Sequence, residues 1–195
     1  MQAETTLRYY DSNAQSFAAD TIDVDMSSIQ DAFHSLLHSG ARILDLGCGT
    51  GRDSRYFLSR GFDVTACDGS AIMCEIASAN TGLEARHLLF EDLDYVDEFD
   101  GIWACSSLLH VPSTGLKDIF RLVHRALKSN GVFYCSFKYG TCEGERNGRY
   151  FTDLTEDSIA ELMDRLFQPL RIWITDDARP DRHDEKWLNV MARKL

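Results

Sequence analysis

The chain has 195 residues, 44% apolar and 26% charged, which suits one globular domain whose core needs neither disulfide nor metal and excludes disordered and fibrous classes. No apolar run approaches the roughly 20 residues of a membrane span, and the opening MQAETTLRYYDSNAQ lacks the regions of a signal peptide, so a soluble, cytoplasmic protein is expected. A net charge of −11 works against binding a phosphate backbone, and six cysteines without a Cys-x-x-Cys pair read as reduced thiols, several in apolar runs.

In chain order, the first segment, residues 1–38, is predicted helical, with Tyr10, Ala14 and Phe17 on one face. His34 and His38 have metal-ligand spacing for a helix, but neither a Glu-x-x motif nor a third ligand accompanies them. They read as a solvated helix end, and no metal is expected. Strand candidates follow at 42–46, 63–67, 85–89 (the weakest), 101–105 and 131–137. Before the last of these, Leu116, Ile119, Phe120, Val123 and Leu127 recur at helical spacing, and Asn130-Gly131 supplies the stop. The alternation predicts right-handed crossovers and a parallel sheet covered on both faces.

The end of the chain differs. Thr155 reads as the N-cap of a helix carrying Ile159, Leu162, Met163 and Leu166 on one face. After Pro169 come strand candidates at 170–175 and 186–193. The link between them holds no helical pattern and is too short for a parallel crossover, so the last strand is expected to run antiparallel in a terminal hairpin. No second core and no linker divide the chain, so residues 1–195 read as a single domain. No exposed apolar stripe fixes an oligomeric state.

The run Asp45-Leu-Gly47-Cys-Gly49-Thr-Gly51 lies between the first strand and the next helix, where a doubly wound sheet binds ligands. Glycine takes positive φ in a tight turn and lets a ligand approach the backbone. The spacing is one residue shorter than the dinucleotide pattern Gly-x-Gly-x-x-Gly. A carboxylate at Asp45 would repel a pyrophosphate but attract an ammonium group. Asp68 closes the second strand just before Gly69 and Ser70, where its carboxylate either meets the ligand or simply caps the following helix. Arg52 and Asp53 open the helix after the turn, and Asp53 either complements the helix dipole or meets the ligand.

With these residues in view the chain resembles the class I S-adenosylmethionine-dependent methyltransferases over nearly its full length. Asp-Leu-Gly-Cys-Gly-Thr-Gly51 is similar to their first motif, Asp68 to the ribose-binding carboxylate, Phe-Glu-Asp-Leu93 to the adenine-binding segment, and the stretch 99–110 to the fourth motif. Small bacterial tellurite-resistance-like and general small-molecule methyltransferases are the most similar branch. The resemblance implies an α/β fold: a doubly wound, mostly parallel seven-stranded sheet with helices on both faces and an antiparallel C-terminal hairpin strand. It implies S-adenosylmethionine as cofactor, S-adenosylhomocysteine as product, and a cofactor-binding set of Tyr10, Asp45, Gly47, Cys48, Gly49, Arg52, Asp53, Asp68, Gly69, Ser70, Met73, Asp92, Leu93, Cys105 and Ser106. Asp92 has a competing reading as part of a solvated acidic loop with Glu91, Asp94, Asp97 and Glu98. It also implies that the N-terminal segment 1–38 closes over the cofactor, with Tyr10 packed on the sheet or shielding the sulfonium.

Methyl transfer from a sulfonium needs alignment, desolvation and removal of any acceptor proton. His110 is the candidate catalytic base, because imidazole titrates near neutrality and this one follows the fourth strand; capping the turn before Pro112 is the other reading. The segments 138–155 and 175–186 should emerge on the substrate side. They carry Lys138, Arg146, Arg149, Tyr150, Arg179, Arg182 and His183, of which Arg146, Arg149, Tyr150 and Arg179 are the candidate substrate residues. A cationic lining suits an anionic small molecule, unless the arginines pair with Glu143, Glu145, Asp177, Asp181 and Asp184. The Asn-Pro-Pro-aromatic and Pro-Cys signatures of DNA methyltransferases are missing, which with the acidic charge argues against a nucleic-acid partner. A small-molecule methyltransferase is therefore expected. The alternatives are a cofactor-binding sensor without turnover, a methyltransferase of protein or RNA side groups, and, disfavoured by the glycine spacing, a dinucleotide oxidoreductase.

Overall fold

In the computed structural model, which describes residues 2–179, 182 and 185–195, the chain opens with helices α1 (Gln2–Thr21) and α2 (Ser27–His34) and then enters a sheet. Strand β1 (Arg42–Leu46), helix α3 (Arg52–Ser59), strand β2 (Asp63–Asp68) and helix α4 (Ala71–Thr81) follow in strict alternation. Next come β3 (Arg86–His87), β4 (Phe99–Ala104), α5 (Ser113–Ala126) and β5 (Leu127–Lys138). The chain closes with β6 (Glu143–Arg146), β7 (Arg149–Thr152), α6 (Glu156–Met163), β8 (Phe167–Asp176) and β9 (Lys186–Lys194). The main sheet has seven strands in the order β3-β2-β1-β4-β5-β9-β8. Strands β3, β2, β1, β4 and β5 are mutually parallel, and β9 runs antiparallel to both β5 and β8. The doubly wound fold and its antiparallel ending are as expected.

Strand alternation sorts the core into two layers. Leu44, Leu46, Ile102, Ala104, Phe133 and Cys135 face α5 and α6, with Leu116, Ile119, Phe120 and Val123 of α5 packed among them. Ile43, Trp103, Val132 and Tyr134 face the other way, onto Phe33 of α2 and Phe57 of α3. Trp103 stacks on Tyr134 at 4.0 Å, and both are fully buried. Thr155 caps α6 as expected, with Ser158 completing a reciprocal capping pair. Among the described residues no helix is long and apolar enough to cross a membrane.

Several boundaries depart from expectation, each for a physical reason. The third strand is only Arg86–His87, and the chain then leaves the sheet for a 3-10 turn, Phe90–Asp92. Helix α5 ends at Ala126 rather than at Asn130-Gly131; Asn130 takes φ +63° inside β5 instead. Pro169 lies within β8, next to a register shift between Pro169 and Arg171 that absorbs its missing N–H. The segment 138–155, expected as a loop, holds the hairpin β6–β7. Its turn is Asn147-Gly148, both at positive φ (+51° and +77°), a combination that Asn-Gly adopts readily.

Candidate active site

The first βα turn uses its three glycines for three different purposes. A Cβ on Gly47 would lie 2.4 Å from Ser107 Cβ, so this glycine admits the β4 loop. A Cβ on Gly51 would lie 2.8 Å from Thr81 Cγ2 and 3.2 Å from Ala77 Cα, so this one admits α4. Gly49, at φ +53°, has nothing within 4 Å of an ideal Cβ and presents bare backbone to open space. That space is a crevice of about 270 Å³ between the turn, the end of β2, the segment Leu88–Glu91 and the underside of α1.

Asp68 anchors it. One carboxylate oxygen accepts the Gly49 N–H (2.9 Å) and the other the Ser70 N–H (2.8 Å). Burial pushes this carboxyl up, and the two N–H donors hold it partly back. Each oxygen keeps lone-pair capacity for a hydroxyl donor. Of the basic residues Arg52 and His110 line the crevice, Arg52 with its guanidinium paired to Asp53, whereas Asp68 and Glu91 add negative charge there. The donor set fits a nucleoside with free hydroxyls and a cationic end, and it opposes a pyrophosphate.

Twelve of the predicted residues line this crevice: Tyr10, Gly47, Cys48, Gly49, Arg52, Asp53, Asp68, Gly69, Met73, Cys105, Ser106 and His110. Four do not. Asp45 is buried and accepts from Ser54 Oγ (2.6 Å), which ties β1 to α3; burial and the charge of Asp53 push its carboxyl up. Ser70 caps α4 by accepting from Met73 N–H and donates to Asp11 Oδ1 (2.6 Å), fastening α1 to α4. Asp92 is exposed and Leu93 buried in the core. The early end of β3 brings Leu88–Glu91 to the crevice in their place. Asp53 is fully engaged, accepting from Gln30 Nε2, Arg52 Nε and Nη2, and Trp103 Nε1 at 2.7–2.8 Å. Burial opposes its charge, but the Arg52 guanidinium and these donors outweigh that and hold it below the ordinary value.

A second, larger cavity of about 820 Å³ opens beyond the crevice, and six residues line both: Tyr10, Phe17, Arg52, Cys105, Ser106 and His110. They form a neck. Ser106 holds φ +54° there, its N–H donating to Ser136 Oγ (2.8 Å). Tyr10 stacks edge-on against Phe17, and its hydroxyl lies 2.8 Å from His110 Nε2. His110 Nδ1 lies 2.6 Å from the Tyr150 carbonyl oxygen. Burial pushes this imidazole down to about 4, helped by the Arg149 charge and resisted by the Tyr150 carbonyl.

Arg146, Arg149 and Arg179 all line the larger cavity, together with Lys138, Arg171 and Arg182. Most are paired: Arg146 with Asp153, Arg179 with Asp177, and Lys138 and Arg182 with Glu185. Arg149 differs. Its guanidinium lies over Tyr9 (4.6 Å), Phe151 (5.1 Å) and Tyr10 (5.9 Å), and its buried Nε has no hydrogen-bond partner. Among the described residues no carboxylate pairs with it. Tyr150 stays outside the cavity lining, with its hydroxyl on Glu143 and its N–H on Thr6 Oγ1. His183, Asp181 and Asp184 lie outside the described residues. Missed in the sequence were Leu88 and Leu89 on the crevice wall, beside Phe90 and Glu91 of the expected adenine-binding segment, and Trp173 and Trp187 in the larger cavity; the Asn147-Gly148 turn was the available signal for the hairpin that presents Arg149.

A family model described as a methyltransferase domain matches residues 43–131. The malonyl-[acyl-carrier protein] O-methyltransferase of Enterobacter lignolyticus is 31% identical over 156 residues, 78% of this chain and 51% of that protein. The chain spans about half, or less, of the curated relatives it matches. The crystal structure of Burkholderia thailandensis 1,6-didemethyltoxoflavin-N1-methyltransferase, with 1,6-didemethyltoxoflavin and S-adenosylhomocysteine bound, superposes with a TM-score of 0.82. It shares 25% identity, covering 99% of this chain and 88% of that one. A TehB-like methyltransferase from Corynebacterium glutamicum shares the fold, with a TM-score of 0.70 at 21% identity over 97% and 98% of the two chains.

Proposed function

We propose that this chain, which belongs to the class I S-adenosylmethionine-dependent methyltransferases, methylates a small molecule that is anionic or becomes so as it reacts. The observation that carries the reading is the neck: the crevice fitted to a nucleoside opens directly onto a cavity three times its volume, walled by Trp173, Trp187, Tyr134 and Arg149. S-adenosylmethionine is the cofactor, and when bound it supplies an electrophilic methyl whose bond electrons stay with sulfur. Asp68 would hold the ribose hydroxyls and the bare backbone at Gly49 would let the nucleoside lie close.

The remaining work is done by the protein's own groups. Helix α1, held by Asp11 to α4 and by Thr6 to β7, keeps water from the neck with Tyr10 and Phe17. Desolvation there strengthens every charge interaction with the acceptor. Arg149, unmatched by any carboxylate among the described residues, would offer its guanidinium to the acceptor's negative charge. The aromatic walls suit a planar acceptor. 1,6-Didemethyltoxoflavin, bound to a similar protein, is a first small molecule to test, and a malonyl-[acyl-carrier protein], named for another, tests a protein-borne carboxylate instead. The net charge of −11 works against a nucleic-acid acceptor, and six free thiols suit a cytoplasmic setting.

Calorimetry with S-adenosylmethionine, S-adenosylhomocysteine and NAD tests the cofactor; binding of the first two but not the third is expected. Formation of S-adenosylhomocysteine with a panel of carboxylates, phenols and N–H heterocycles then tests the reaction. Tight cofactor binding with no turnover on any acceptor would favour a sensor over an enzyme. Arg149→Met is expected to raise KM for the acceptor at least about 10-fold while leaving cofactor affinity unchanged.

A further inference from the structure

The hydrogen-bond chain at the neck fixes where each proton is. A carbonyl oxygen can only accept, so the 2.6 Å contact with Tyr150 O places the imidazole proton of His110 on Nδ1. Nε2 is then a lone pair, and the 2.8 Å contact with Tyr10 must be the phenol donating to it. The Arg149 guanidinium donates to the phenol oxygen, whose remaining lone-pair capacity faces the site, and Tyr10 lines the crevice and the larger cavity alike. Arg149, which has no carboxylate partner among the described residues, lies beside this ring, 5.9 Å from its centroid. The direction of the Tyr150 carbonyl is set by the pairing of β7 with β6 on either side of it, and the preceding peptide is held by the Tyr150 N–H on Thr6.

From this arrangement, and resting on the methyl-transfer reading, we infer that Tyr10 is a catalytic residue that takes the acceptor's proton while passing its own to His110. The acceptor class is then an N–H or O–H acid rather than a group that arrives without a proton. The balance is complete within the site. The acceptor's X–H bond breaks as a new O–H bond forms at Tyr10; the Tyr10 O–H bond breaks as Nε2–H forms; and the electron pair released on X makes the bond to the methyl carbon. Tyr10 ends as a neutral phenol and His110 as an imidazolium, so the positive charge lost at the sulfonium reappears on the ring and the net charge of the neck is unchanged; burial and the Arg149 charge disfavour that ion, so the proton moves as the methyl bond forms and passes to solvent when the site opens. Arg149 steadies the negative character that passes through the phenol oxygen. Burial pushes the Tyr10 phenol up and the Arg149 charge works against that. His110 holds and receives a proton without needing to touch the acceptor.

Two measurements test the relay, one of them independent of turnover. In protein with 15N-labelled histidine and S-adenosylhomocysteine, His110→Asn identifies the ring signals of His110 among six histidines. An Nδ1–H tautomer is expected, with Tyr10→Phe shifting the Nε2 signal and no other. An Nε2–H tautomer, or an Nε2 signal that ignores Tyr10→Phe, overturns the relay. In the second, S-adenosylhomocysteine formation is followed with 1,6-didemethyltoxoflavin and substituted phenols and azoles of graded acidity. Tyr10→Phe, which keeps the ring against Phe17, is expected to lower kcat about 100-fold for the weakest acids and to leave KM within about 3-fold. The loss should shrink toward acceptors already ionised at the assay pH. A loss equal across the series marks Tyr10 as packing only and overturns the relay while sparing the methyl-transfer reading. No turnover by wild-type protein on any acceptor sinks that reading and the relay with it. Melting curves of both variants exclude a folding defect.

Discussion

Replacing Asp68 with Asn separates ligand binding from folding. In the free protein the carboxylate accepts from Gly49 N–H and Ser70 N–H. An amide keeps one of these bonds and forfeits the other, at a cost of about 1 kcal/mol. The same change removes a buried charge whose burial pushes its pKa up, and that relief offsets the lost bond. Unliganded stability should therefore move by less than about 1 kcal/mol, or about 2–4 °C in a chain of this size. Ligand binding has no such offset. Two hydroxyl bonds to a carboxylate, each about 1.5–3 kcal/mol, become at best one bond to a neutral oxygen. A net loss of about 3 kcal/mol corresponds to about 100-fold in Kd for S-adenosylhomocysteine. Titration calorimetry on the variant, with a melting curve on the same sample, reads both quantities. A folded variant binding within about 3-fold of wild type would refute the role given to Asp68.

Gly47→Ala and Gly49→Ala should fail in opposite ways. The first drives a Cβ to 2.4 Å from Ser107 and should lower Tm without acting on the ligand directly, whereas the second meets open space, pays about 1 kcal/mol for φ +53°, and should weaken S-adenosylhomocysteine binding by 10-fold or more; thermal melts and calorimetry separate them. Trp103→Phe removes the Nε1–H donor to Asp53 and part of the stack on Tyr134, so a loss of about 1–3 kcal/mol is expected in urea unfolding. Asp177 gives a pH signature. Burial would raise its carboxyl, but the bidentate Arg179 and donors from Arg179 N–H and Trp187 hold it well below its ordinary 3.8. A depressed carboxyl stabilises above the unfolded value and loses that stability as pH falls. Wild type should thus exceed Asp177→Asn in Tm near neutrality, and the gap should begin to narrow below about pH 4 and go on narrowing as the pH falls further.

Features written in local residues were legible in the chain. The glycine turn, Asp68 before Gly69, the Thr155 cap and the antiparallel ending each depend on spacing within a few residues, and each lies in the fold as expected. Misplacement begins where a side chain's partner is distant in sequence. Asp45 was expected at the ligand as a carboxylate that attracts an ammonium group, yet it accepts from Ser54 and lies outside the crevice lining. The expected adenine contacts at Asp92 and Leu93 assumed a third strand running to residue 89; it stops at His87, and the wall is built from Leu88–Glu91 instead. Nothing local distinguishes Arg149 from Arg146 or Arg179. Only the folded hairpin shows that the other two meet Asp153 and Asp177 while Arg149 lies among Tyr9, Tyr10 and Phe151. The tautomer of His110 is equally invisible in sequence, since a backbone carbonyl forty residues away sets it.

A crystal structure of the protein with S-adenosylhomocysteine bound tests most directly whether the crevice and the cavity form one reaction path. The ribose hydroxyls are expected on Asp68, the nucleoside against Gly49, and the sulfur turned to the neck between Ser106 and His110. Sugar hydroxyls bound away from Asp68, or a sulfur facing solvent with Tyr10 still closed on His110, would contradict it.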